Sequence, residues 1–113
     1  MKDIRFTSPF KRCLKKLRRR YRQIRQDINP VLKELKAGNF VGTQIMGVSQ
    51  TVFKVRAKNS DIPTGKSGGY RILYQVVNNE IILLLVIYAK SEQANMSASE
   101  IEQIIKETLD QSN

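Results

Sequence analysis

Residues 51–89 contain three strand-like runs: Thr51-Val-Phe-Lys-Val-Arg-Ala57, Tyr70-Arg-Ile-Leu-Tyr-Gln-Val-Val77 and Ile81-Ile-Leu-Leu-Leu-Val-Ile-Tyr88. In the first, strand alternation puts Val52, Lys54 and Arg56 on one face and Phe53, Val55 and Ala57 on the other. Residues 58–69 hold Asn59, Asp61, Pro63, Gly65, Gly68 and Gly69, which is loop chemistry, and Asn78-Asn79 reads as a turn. The third run is apolar without a break, as in a central strand covered on both faces. The turn at Asn78-Asn79 joins the second and third runs as an antiparallel pair, and the first is expected to add to them in the same antiparallel sheet.

Outward from this core, the pattern is already strand-like from Gln44. At the N-terminus, Ile4 and Phe6 alternate with Lys2, Arg5 and Thr7, a short opening strand. Ser8-Pro9 supplies a helix N-cap followed by proline at the first helical position. Phe10, Cys13, Leu14 and Leu17 then form one apolar stripe on a helix with a basic back. Ile24, Ile28, Leu32 and Leu35 predict a second helix ending near Gly38, with Pro30 either kinking it or starting a new segment. Ser97 with Glu100 forms a capping box, and Ile101, Ile104, Ile105 and Leu109 are the expected buried stripe of a last helix. The order predicts an α+β domain over residues 1–113, with an N-terminal strand and two helices packed on a small, mainly antiparallel sheet, then a C-terminal helix.

Composition narrows the partners. A chain of 113 residues with 41% hydrophobic content can close one core, and a net charge of +10 favours polyanions. The charge is uneven: residues 1–36 carry thirteen Lys/Arg against three Asp/Glu, whereas residues 91–113 carry one against five. Cys13 is the only cysteine and reads as a small buried hydrophobe, so no internal disulfide is possible and a reducing cytoplasm is expected. The longest apolar run, Ile81 to Tyr88, falls well short of the ~20 residues of a membrane helix, and no apolar signal segment precedes it.

Several chemistries are excluded. There is no histidine, so neither histidine acid–base catalysis nor a Cys/His zinc site can be built. Gly65-Lys66-Ser67 suggests a phosphate loop, but the motif's first glycine is replaced by Ser60 and a strand rather than a helix follows. Its glycines fit a tight hairpin with positive φ angles instead.

The basic residues remain. Lys15, Lys16, Arg18, Arg19 and Arg22 form a run that could meet phosphates, or simply a solvated helix back. Lys54 and Arg56 share a sheet face, Arg71 lies on the next strand, and Lys90 ends the following strand just after Tyr88. Like charges held this close repel, a cost that a bound phosphodiester would relieve. Arginine would stabilise charge developing at phosphorus, while lysine or tyrosine could move the protons of a 2′-hydroxyl attack.

Phe53-Lys-Val-Arg56, Gly65-Lys-Ser-Gly-Gly-Tyr-Arg-Ile-Leu-Tyr74 and Ile82-Leu-Leu-Leu-Val-Ile-Tyr-Ala-Lys-Ser-Glu92 together resemble the RelE/ParE toxin superfamily of type II toxin–antitoxin modules, most closely its RelE-like HigB branch. The resemblance is dense over residues 52–106. It implies a RelE-like fold and a ribosome-dependent mRNA endoribonuclease, an mRNA interferase that cuts the A-site codon by metal-free 2′-hydroxyl attack and so inhibits translation. It also implies a cognate antitoxin as partner, with ribosome and mRNA, no membrane, no metal and no cofactor. Carried over by position, Lys54 would accept a proton, Arg56 would stabilise charge, Arg71 would bind the scissile phosphate, and Lys90 would be an acid or phosphate clamp. Lys58 and Lys66 are further RNA-contacting candidates in the loop, which is longer than in RelE. RelE has arginine in place of Ser91 and a catalytic tyrosine near Ser97, so Tyr88 is the substitute phenol expected here. Two alternatives stand beside this reading: a ParE-like toxin that poisons gyrase, and a non-catalytic RNA-binding domain.

Overall fold

The computed structural model describes residues 1–63, 68–93 and 95–111. The elements follow the order β1 (Asp3–Phe6), α1 (Ser8–Arg20), α2 (Ile24–Lys36), β2 (Thr43–Ile45), β3 (Val52–Ala57), β4 (Tyr70–Val76), β5 (Ile81–Ala89) and α3 (Ala98–Gln111). The strands form one mixed sheet in the order β1-β5-β4-β3-β2. β2 through β5 pair antiparallel, and β1 joins the outside of β5 in parallel. The α+β class and the mainly antiparallel sheet read from the sequence are therefore present.

The unbroken apolar run of β5 is explained by cover on both faces. On one face, Val55, Ala57, Tyr70, Ile72, Tyr74, Ile82, Leu84 and Ile87 pack under Phe10, Leu14 and Leu17 of α1 and Ile24, Ile28, Val31 and Leu35 of α2. On the other, Val52, Leu73, Leu85, Val86 and Tyr88 pack with Ile101 and Ile105 of α3. Cys13 is half-buried and touches both cores. The α3 start is the expected capping box: Glu100 N donates to Ser97 Oγ and Ser97 N donates to Glu100 Oε1, each 3.1 Å.

Three local expectations are corrected, and the start of a new segment at Pro30, one of two alternatives left open, is ruled out. The α1 cap is Thr7, not Ser8: its buried hydroxyl donates to Leu84 O at 2.7 Å and accepts from Phe10 N at 3.2 Å, which ties the helix start to β5. Pro30 lies inside one continuous α2 on its exposed side, where water can take the carbonyl that proline leaves unpaired. Leu109 is exposed, because the buried stripe of α3 ends at Ile105. Gly69 is required by a close approach rather than by a positive φ: a Cβ there would stand 2.0 Å from Ala57 O.

Candidate functional site

The sheet register brings three of the sequence candidates into one row. Arg56 of β3 lies opposite Arg71 of β4, and Arg71 lies opposite Tyr88 of β5. Directly opposed side chains have Cβ atoms about 4.5–5.5 Å apart, so two guanidinium stems and a phenol stand side by side on the α3 face. Lys54 is one step along, opposite Leu73, and its Nζ donates to Asn95 Oδ1 at 3.3 Å. Lys90, expected at the end of this strand, falls in the turn just past β5, with its backbone N–H donating to Gly69 O at 2.9 Å.

Arg56 and Lys90 are exposed and Lys54 is half-buried, whereas Arg71 and Tyr88 are only 5% and 6% exposed. The row of candidate residues is therefore partly enclosed. Among its contacts, Arg71 donates from Nη1 to Tyr70 O at 3.3 Å. Burial and then the neighbouring Arg56 lower the Arg71 pKa, while Tyr88 opposes them. Burial raises the Tyr88 phenol above the ordinary tyrosine value, with the Arg71 charge pulling it back down. The Tyr88 hydroxyl is buried and has no hydrogen-bond partner among the described residues. The row thus sets two guanidinium groups beside a buried phenol, and a phosphate oxygen placed there could meet both the positive charge and the hydroxyl.

The helical cations divide into two groups. Lys15, Arg18, Arg19 and Arg22 line a shallow surface hollow of about 390 Å³. Lys16 and Arg19 also line a larger groove of about 780 Å³, whose floor includes Tyr88. Lys58 is exposed just beyond β3, and Lys66 lies outside the described residues, as do Gly65 and Ser67. Among the described residues, no three His, Cys, Asp or Glu side chains cluster closely enough to hold a metal ion, and no helix is long and apolar enough to cross a membrane.

Other residues enter the site through tertiary contacts. Asn95 holds Lys54 while its Oδ1 also accepts from Met96 N at 3.0 Å. Glu92 accepts from Tyr21 Oη at 3.0 Å and pairs with Arg20 at 3.2 Å, fastening the end of α1 to the turn after β5. Asp27 accepts from Ser60 N at 2.8 Å and Asp61 accepts from Gln23 N at 3.1 Å, so two carboxylates pin the loop between β3 and β4 to the start of α2. The only sequence signal for these was the polar character of the two loops. No protein-family model matches the chain, and no curated protein matches it.

Proposed function

We propose that this chain is a RelE-like toxin, a ribosome-dependent endoribonuclease that cuts mRNA in the A site and is neutralised by a cognate antitoxin. The observation carrying this reading is the Arg56–Arg71–Tyr88 row with Lys54 beside it. Two guanidiniums and a lysine can surround a phosphodiester and stabilise the dianionic phosphorane formed on 2′-hydroxyl attack. The 2′ oxygen bonds to phosphorus and gives its proton to Lys54, which must be a neutral amine at that moment. The P–O5′ bond then breaks, Tyr88 protonates the departing 5′ oxygen, and a 2′,3′-cyclic phosphate remains. Tyr88 can fill the acid role because a phenol carries its proton at neutral pH, and the Arg71 charge works against the rise in pKa that burial causes.

The test is primer extension on mRNA from programmed ribosomes incubated with purified protein. Wild-type protein should cut within the A-site codon. Arg71→Ala should reduce cutting by about 10²–10³-fold, the usual effect of removing one donor to a developing oxyanion. Intact mRNA with wild-type protein would sink the enzymatic reading. If gyrase-dependent DNA damage accompanied the intact mRNA, a ParE-like activity would take its place.

A further inference from the structure

The groove of about 780 Å³ lies between α1, the end of β5 and α3, and of its lining only Tyr88 enters the proposed cleavage. Its size falls within the roughly 300–1,000 Å³ of small-ligand sites. Leu17, Val86, Met96 and Ile104 make its walls apolar. Its acids are already engaged: Glu92 holds Arg20 and Tyr21, and Glu100 closes the α3 capping box. Lys16 and Arg19, on the α1 wall, make no ion pair among the described residues. The groove therefore offers an apolar slot with surplus positive charge along one side.

Its position specifies the ligand further. Tyr88 belongs both to the groove and to the row containing Arg71, so the slot opens beside the place where a phosphate would lie. The Tyr88 side chain is thus shared by the slot and the row, and its buried hydroxyl has no hydrogen-bond partner among the described residues. Gln93 adds a side-chain amide able to meet a base edge, and it is steadied by donating to Asn95 O at 3.2 Å.

We propose that this groove is a nucleobase subsite. It takes the base of the nucleotide flanking the scissile phosphate between its apolar walls, with Gln93 at the base edge and Lys16 and Arg19 on the next phosphate. The ligand class, single-stranded RNA, rests on the proposed cleavage reaction. Charge complementarity and continuity with the Arg71 row favour RNA over an apolar protein segment. The subsite would make cleavage depend on the identity of the flanking base, because stacking and a single amide contact discriminate bases by modest factors.

The experiment uses a 2′-O-methylated trinucleotide, which cannot supply the attacking hydroxyl. It is titrated into the full chain and followed by methyl and amide NMR. Shifts should include the methyls of Val86, Met96 and Ile104 and the side-chain amide of Gln93. Replacing the flanking base by an abasic site should weaken binding about tenfold, and Gln93→Ala should change the order of preference among the four bases. Shifts confined to β3, β4 and the outer face of α1, or equal binding of the abasic probe, would overturn the assignment and leave the groove to a protein segment. The outcome is independent of cleavage: groove binding by a protein that leaves mRNA intact removes the reaction and keeps the subsite, and cleavage without groove shifts does the reverse.

Discussion

The two faces of the sheet are made by alternate residues of the same strands, yet they are closed differently. Under α1 and α2, the side chains from Val55 to Ile87 meet two helices of thirteen residues each and form a buried, aromatic-rich core. Under α3, one acidic helix covers Val52, Leu73, Leu85 and Val86 with little more than Ile101 and Ile105, and the row from Arg56 to Tyr88 runs past it. A strand can therefore carry the fold on one side and polar chemistry on the other, provided the first side supplies most of the stability.

The comparison breaks most directly in stability. Phe10, wholly buried under the first face, should lose about 3–5 kcal/mol of unfolding free energy as Phe10→Ala, since a large cavity opens in a packed layer. Ile105→Ala on the second face should cost about 2 kcal/mol, because a single helix can settle onto a smaller side chain. Urea titrations of both variants decide it. If Ile105→Ala proves the costlier, the α3 face is the main core and the assignment of roles is reversed.

A second contrast uses two orphan hydroxyls. Tyr70 and Tyr88 each bury a phenol that has no hydrogen-bond partner among the described residues, one on each face. Tyr88→Phe should slow A-site cleavage by about 10²-fold, the lower range for losing a general acid. Tyr70→Phe should leave cleavage unchanged and stability equal or slightly higher, because it removes an unsatisfied buried polar atom. Equal losses of cleavage in the two variants would mean that Tyr88 acts through the fold.

What the sequence revealed divides along the same line. The helix-side face was legible, since the 3–4-residue spacing from Phe10 to Leu17 and the alternation of Val55 and Ala57 are local patterns. The presence of Lys54 and Arg56 on one face was equally local. The Arg56–Arg71–Tyr88 row was not, because a loop as long as residues 58–69 leaves the register open and a bulge at Leu73/Tyr74 shifts the pairing with β5. Asn95 was missed for the same reason: its bond to Lys54 spans 41 residues. The Thr7 cap escaped because Ser8-Pro9 is the stronger local signal, while Thr7 is chosen by its bond to Leu84.

Alkaline pH offers a milder test of how well the faces exclude water. Burial raises the phenols of Tyr70, Tyr74 and Tyr88 above the ordinary tyrosine value of about 10, and for Tyr70 the nearby Asp27 and Asp61 add to the effect. In the unfolded chain these phenols ionise near pH 10, whereas the native ones stay neutral to higher pH. Stability should then be level below about pH 9 and fall above pH 10, by at most about 1.4 kcal/mol per pH unit for each tyrosine. Thermal melts across pH 8–11 measure this. Tyr70→Phe should flatten the fall more than Tyr88→Phe does, because the Arg71 charge already holds the Tyr88 phenol down.

The smallest expected effect lies where the two helical layers touch. Arg12 of α1 reaches Glu107 of α3 with a 2.8 Å ion pair, but the side chains are 60% and 38% exposed, so solvent screens most of the attraction. Glu107→Gln should cost less than about 1 kcal/mol at low salt and nothing measurable at high salt. Melting curves at two ionic strengths test this directly. A loss that survives high salt would show that charge, rather than Ile101 and Ile105, fastens α3 to the sheet. The second face would then be an electrostatic closure, and the contrast with the apolar face under α1 and α2 would be one of kind rather than of degree.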